Sequence, residues 1–328
     1  MISQSEQLRH FSPNHLNLII LPTEACNFRC TYCYETFENK KMPRHVVSGI
    51  KSLIDRRGEE LDQLEVSWFG GEPLLALDVI TDISKHALDA AKAEGFTFQS
   101  GMTTNGYFLD QERFSQCLNH QIDFFQISLD GNPDDHNASR KLASGGETFD
   151  RIWSNLIAMK HTSAEFVVLL RLHYTMQNFI SVGEFGRRIR DEFGNDRRFR
   201  YFFRHISRLG GPNDESITIL SEQDQKEIEA HLWDASGLLQ PHSRDESYVC
   251  YAAKGNSLVI RSTGRLAKCT VALNDSCNDI GWISEKGEVC VDQSKYRRWI
   301  APLVEADWEN VGCPLPSVMQ HAERDAAN

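Results

Sequence analysis

The chain has 328 residues, enough for one large domain or a large one with a small one, and its 41% apolar and 25% charged residues are those of an ordinary globular protein. A net charge of −11 argues against a nucleic-acid or anionic-membrane partner. No apolar run is long enough to span a bilayer and Met1 to Pro13 is polar, so no membrane anchor or signal peptide is expected; the nine cysteines then read as metal ligands in a reducing cytoplasm.

Leu16 to Leu21 (LNLIIL) is a nearly continuous apolar run, suited to a strand buried on both faces. Cys26, Cys30 and Cys33 follow its C-terminal end. Val46 to Ile54 has a helical period, between Pro43 and Gly58. Leu64 to Phe69 is the second strand, stopped by Gly70-Gly71. Ala76 to Ala93 is a helix, and Phe96 to Met102 a strand ending in Thr103-Thr104-Asn105-Gly106. The helix Asp110 to Asn119 precedes a strand, Phe124 to Leu129, which ends in Asp130-Gly131. Thr148 to Lys160 is helical, Phe166 to Tyr174 a strand, Ile180 to Phe193 a helix and Arg200 to Ile206 a sixth strand. Such strand–helix alternation is the pattern of a parallel α/β sheet or barrel, and it does not separate the two. After Gly210-Gly211-Pro212 the character changes: a polar helix, Glu222 to Leu239, leads through Pro241 to a cysteine-rich segment of short β pieces and Gly turns. The boundary is placed near Ser207 to Ser216.

The residues that carry chemistry fall where strands end, the face that holds active sites in βα-barrels. Three cysteines with no nearby fourth ligand suit a four-iron cube that leaves one iron open. Zinc sites usually close with paired knuckles or histidines, and no Cys or His lies between Cys33 and His45. Gly70-Gly71-Glu72-Pro73 lets backbone approach a ligand closely beside a carboxylate. Thr104, Asn105, Ser128 and Asp130 offer short polar groups at strand ends, although Asn-Gly and Asp-Gly also favour plain turns. Arg171 lies inside an apolar strand, where a charge is costly unless paired. His173, two residues on, shares its side and is read as structural. Cys117, within a helix, reads as a core residue.

The stretch Ala25 to Glu35 closely resembles the C-x3-C-x2-C signature of the radical S-adenosylmethionine (SAM) superfamily, including the aromatic Tyr32 before the third cysteine. Gly70 to Pro73 resembles that family's GGEP motif, and Asp130 to Arg140 the D-G-x4-H-x3-R stretch of its peptide-modifying members. The resemblance implies a partial (β/α)6 barrel. It further implies a [4Fe–4S] cluster on Cys26, Cys30 and Cys33, whose open iron chelates SAM, and a reductive cleavage that yields a 5′-deoxyadenosyl radical. Gly70, Gly71, Glu72, Pro73, Thr104, Asn105, Ser128, Asp130, Arg140 and Arg171 then border SAM, with His136 nearby. Cys250 to Cys269 is similar to the C-x13-G-x4-C opening of a SPASM or twitch extension. The dense cysteine run of a full SPASM domain is missing, so a second auxiliary cluster is not expected. One auxiliary iron–sulfur cluster is expected on Cys250, Cys269 and Cys313, with Cys290 favoured over Cys277 as fourth ligand.

The organisation expected is a radical SAM partial barrel at 1–206, a linker with a helix at 207–248 and a truncated SPASM/twitch-like part at 249–328. A first strand near Leu16 leaves no room for an N-terminal winged-helix peptide-binding domain. The activity implied is that of a maturase that abstracts hydrogen from a ribosomally made peptide and crosslinks or oxidises it. A flavodoxin- or ferredoxin-type electron donor is implied, with no nucleic-acid and no membrane partner. Formylglycine formation on a sulfatase and dehydrogenation of a small molecule are the enzymatic alternatives. A non-catalytic iron–sulfur or zinc protein is the alternative of another class.

Overall fold

A computed structural model describes residues 4–240 and 248–326; Pro241 lies outside the described residues. The first strands are β1 (His15–Ile20), β2 (Phe28–Cys30), β3 (Gln63–Trp68), β4 (Thr97–Thr104), β5 (Ile122–Leu129) and β6 (Arg140–Leu142). They continue as β7 (Val167–Tyr174), β8 (Phe199–His205), β9 (Ser257–Ile260), β10 (Arg265–Ala267), β11 (Gly281–Ile283) and β12 (Val289–Val291). The helices are α1 (Gln4–Arg9), α2 (Arg44–Arg57), α3 (Leu77–Glu94), α4 (Gln111–Asn119), α5 (Pro133–Ser139) and α6 (Phe149–Lys160). The last four are α7 (Phe179–Phe193), α8 (Glu222–Ser236), α9 (Gln293–Val304) and α10 (Leu315–Ala326). The chain forms two compact units: Met1–Ala25, Phe37–Ser100 and Arg244–Asn328 make one, Cys26–Thr36 and Gly101–Ser243 the other.

In the first unit β1 is a central parallel strand, with Ile20 level with Trp68 of β3 on one side and Ile260 of β9 on the other. Its nearly continuous apolar sequence suits that place, since Leu18, Ile20 and Leu21 are fully buried. The cysteine-rich segment continues as an antiparallel meander, β9 to β12. The helices α2 and α3 are amphipathic and bury Ile50, Leu53 and Ile54, and Ile80, Ile83 and Ala87. Each large aliphatic side chain taken from water contributes about 1.5–3 kcal/mol. The apolar strip from Trp299 onward is largely helical, as α9. The fully buried Trp299 donates its indole N–H to the Cys277 carbonyl at 3.1 Å.

In the second unit β5, β7 and β8 are parallel neighbours in that order, and β4 lies next to β5 in the sheet. Aromatic side chains fill its interior, with Phe114, Phe166, Phe199 and Phe193 in successive ring contacts of 5.1, 5.9 and 4.4 Å. The strands match the sequence expectation to within a few residues. The stretch after Asp130 is more ordered than a loop. Asn132 caps α5 by accepting from the Asp135 amide at 3.1 Å, Pro133 opens the helix, and β6 follows at once. No helix among the described residues is long and apolar enough to cross a membrane.

Candidate functional site

The cysteine loop of the second unit contains a strand of its own. Pairing of β2 with β6 sets Cys30 opposite Arg140, and the Thr31 amide donates to the Ser139 carbonyl at 2.9 Å. The loop is braced further by Asn105, whose amide donates to the Asn27 side chain at 2.8 Å. Asn213 donates to the Thr31 carbonyl at 3.1 Å, and a Cβ added at Gly211 would stand 2.5 Å from the Cys33 carbonyl oxygen. The Gly-Gly-Pro stretch, read from sequence as a boundary, therefore packs against the third cysteine. Thr104 accepts from the Gly106 amide at 3.1 Å and shapes its turn.

Asp130 is the centre of a buried polar network. It accepts from the Tyr32 hydroxyl at 2.9 and 3.0 Å, from the Ser139 hydroxyl at 2.5 Å and from Nδ1 of His173 at 3.1 Å. Arg140 donates to the Tyr32 oxygen at 2.7 Å, and Arg171 donates from Nε to Ser128 Oγ at 3.0 Å. Burial alone would raise the Asp130 pKa, but the His173 hydrogen bond and the Arg140 charge hold it well below the usual carboxylate range. Burial lowers His173 to about 4, against the pull of Asp130, and lowers His136 to about 3. At neutral pH the network thus holds an ionised Asp130, a cationic Arg140 and two neutral imidazoles. Burial lowers the Arg171 pKa as well. His173, read as structural from its sequence, belongs to this network, and so does Ser139. The partners of His173 lie 43 and 141 residues away, whereas Ser139 reaches Asp130 across only nine.

Burial raises the Cys30 thiol, with Arg140 opposing, and raises Cys33 to about 11. A metal must displace those protons, and the guanidinium beside Cys30 lowers that cost. The Phe28 amide donates to Cys26 Sγ at 3.3 Å, and the Glu35 amide to Cys33.

The Gly70 to Pro73 turn belongs to the first unit. Gly70 has φ +115°, and a Cβ there would collide with the Thr23 carbonyl; one at Gly71 would collide with that of Ala25. The Glu72 amide donates to the Ala25 carbonyl at 2.9 Å. The Glu72 carboxylate is fully buried and accepts from the Leu74 amide at 3.0 Å, capping the short 3-10 turn that begins at Pro73. The turn is thus pressed against the residues that lead into Cys26. Glu24, not singled out from sequence, accepts from Arg261 at 3.2 and 2.6 Å, from Ser262 and from Asn39. It fastens that same lead-in segment to the end of β9.

The C-terminal cysteines also belong to the first unit. Burial raises Cys250, and the sulfurs of Cys269 and Cys313 raise it further. Cys269 is raised by burial and by Cys313, and Cys277 by burial, Asp275 and then Cys269. Amides two residues on donate to Cys250 and to Cys269, the latter from Val271 at 3.4 Å. The buried Asn278 holds this loop by accepting from the Lys268 and Cys269 amides and donating to the Cys269 and Ala272 carbonyls. Cys290 lies in β12, opposite Trp282 of β11. Next to Cys269, the buried Lys268 donates to the carbonyls of Lys254 and Ser257, each at 2.6 Å, and burial lowers its pKa to about 7.

Residues 20–177, just under half of the chain, match the family described as Radical SAM superfamily, so this stretch is similar to a radical SAM domain. The cysteine-type anaerobic sulfatase-maturating enzyme of Clostridium perfringens (strain 13 / Type A) is 26% identical over 161 residues, which cover 47% of this chain and 43% of that protein. The match thus spans less than half the length of that relative. The solved structure of native anSMEcpe with bound AdoMet and Kp18Cys peptide has a TM-score of 0.67 at 17% identity, over 90% of this chain and 84% of that one. Streptococcus suis SuiB bound to precursor peptide SuiA has a TM-score of 0.60 at 15% identity, over 90% and 69%. These likenesses establish the fold as a partial α/β barrel.

The family's cofactors are a [4Fe–4S] cluster and SAM, and the residues present fit them. The cysteine loop offers three partly accessible thiols, two of which accept amide hydrogen bonds of the kind that tune cluster sulfurs. Among the described residues no three His, Cys, Asp or Glu side chains are gathered closely enough to hold a metal as they stand. The ligand assignment accordingly rests on donor chemistry and on position in the loop.

Proposed function

We propose that the chain is a peptide maturase of the SPASM/twitch class. The observation that supports this reading best is that Cys250 and Cys269 are both buried thiols raised further by the charge of Cys313, within the segment that resembles a twitch extension. Relatives of the same fold that hold peptides support it as well. In this reading 1–206 is the catalytic barrel, 207–248 a linker and 249–328 the twitch-like part, and the protein is cytoplasmic.

Cys26, Cys30 and Cys33 hold the radical cluster, which when bound supplies the electron that splits the SAM sulfonium. The Gly70-Gly71 turn, packed against the Thr23 and Ala25 carbonyls, offers its backbone to a ligand's amino group, with Glu72 and Pro73 fixing the turn. Thr104, Asn105 and Ser128 line SAM. Arg171 keeps its terminal nitrogens for a carboxylate, since Ser128 takes only Nε. Asp130 and Arg140 orient the loop through Tyr32. Cys250, Cys269, Cys313 and one of Cys277 or Cys290 would hold an auxiliary iron–sulfur cluster, which would supply an electron acceptor near the substrate. A flavodoxin- or ferredoxin-type protein delivers the electrons. The decisive experiment incubates reconstituted enzyme with SAM, dithionite and the precursor peptides encoded beside it. A SAM-dependent loss of two hydrogens from a peptide is expected; cleavage of SAM with every peptide unchanged would sink the reading.

A second reading, formylglycine formation on a sulfatase, is favoured by the sequence match to sulfatase-maturating enzymes. An aldehyde formed on a sulfatase-derived Cys or Ser peptide would establish it.

A further inference from the structure

The face of the second unit that carries Ser128, Asp130, Arg171 and His173 does not end at β7. In the parallel register of β7 and β8, Leu169 is level with Arg200, Arg171 with Phe202 and His173 with Arg204. Side chains level with one another across a sheet point to the same side. Arg200, Phe202 and Arg204 therefore extend that face by one strand, and β8 is the last strand of its sheet.

These two arginines differ from the others around them. Arg113, Arg187, Arg190, Arg197 and Arg198 each pair with an acid. Arg208 donates to the Ile217 carbonyl, and Arg188 lies 4.1 Å from the centre of the Trp153 ring. Arg200 and Arg204 are exposed and have no acceptor among the described residues. Two unpaired guanidiniums, with a half-buried phenyl ring between them, thus stand on the strand edge beside the Asp130–His173 network. The chain as a whole carries a net charge of −11, so this strip is a local exception rather than part of a basic surface.

We propose that Arg200, Phe202 and Arg204 form a recognition strip for an acidic, extended segment of the substrate peptide. The inference deepens the maturase reading and rests on it. A peptide added as a strand beside β8 places every second side chain on the strip's side. Acidic residues four apart then face Arg200 and Arg204, and an apolar residue between them faces Phe202. The arginine positions are four residues apart, roughly 13 Å along a strand. That is longer than a triphosphate chain, so a peptide suits the strip better than a nucleotide. A peptide in this register reaches the level of His173 at its Arg204 end.

The test measures anisotropy of two labelled dodecapeptides on reconstituted holoenzyme with SAM. One has Glu at every fourth residue with Leu midway between, the other Gln in place of Glu. Two exposed ion pairs predict a preference for the Glu peptide of about five- to ten-fold. The preference should vanish in the Arg200→Gln/Arg204→Gln double variant. It should persist in the Arg200→Lys/Arg204→Lys double variant and in Arg197→Gln, whose arginine already has an acid partner. Equal binding of both peptides by the wild type, or a preference kept in the Gln double variant, overturns the proposal. Tighter binding of a nucleoside triphosphate that is lost in the same variant overturns it as well. SAM cleavage by the wild type is followed separately. If it is absent the radical reading fails while the peptide preference stands; if it is present without a preference, only the strip fails.

Discussion

The two groups of cysteines differ in how they meet charge. Around Cys30 the second unit builds a compensated network, in which the buried Arg140 and Asp130 meet through Tyr32, with Ser139 and His173 completing the carboxylate's partners. Around Cys250 and Cys269 the first unit offers backbone amides, the Asn278 carboxamide and one buried amine, Lys268, which donates to main-chain carbonyls and lies 5.1 Å from the centre of the Tyr296 ring. Charge on the first group is paired and oriented, whereas the second is nearly uncharged apart from its sulfurs. A low-dielectric site with paired charges holds a charged ligand in one pose. A site with few charges leaves the potential of a bound cluster to its sulfurs and their hydrogen bonds. That division suits SAM binding at one group and electron acceptance at the other.

The sharpest break in the comparison comes from Cys30→Ala, which should abolish formation of 5′-deoxyadenosine while leaving circular dichroism unchanged. A variant that still produces it removes Cys30 from the ligands. Next in size is the iron content. Replacing Cys26, Cys30 and Cys33 together by Ala should leave about four of about eight irons per chain, by anaerobic iron and sulfide analysis. No remaining iron means that the C-terminal group holds no cluster.

Stability of the apoprotein then separates the two charge settings. Asp130→Asn strands the buried Arg140 and should cost about 3–5 kcal/mol in denaturant unfolding. Lys268→Met should cost under about 1 kcal/mol, because removing an unpaired buried ammonium offsets two lost carbonyl bonds. Equal losses in the two variants would erase the distinction.

A further effect is one of pH. His136 is held neutral, its pKa lowered by burial from 6.5 to about 3, so the unfolded chain binds a proton there that the folded chain refuses. This term favours the fold above about pH 6.5 and is withdrawn as pH falls toward 3, by about 1.4 kcal/mol per pH unit. His136→Gln should flatten the stability–pH curve between pH 4 and 6 by that slope. An unchanged slope would mean that His136 takes its proton within the fold.

The sequence by itself determined the strand–helix alternation, the positions of the strand ends and the cysteine triplet with its glycine turn. Those are local matters: apolar runs of strand length, helical periods and glycines that backbone crowding demands can all be read within a few residues. The tertiary structure decided what the polar residues do. Tyr32 meets Asp130 and His173 across 98 and 141 positions of sequence, and Glu24 meets Arg261 across 237. A polar side chain takes its role from the groups that desolvate and pair with it, and those groups are assembled only when distant strands come level. Periodicity records which face is buried; it carries no trace of which partner waits there.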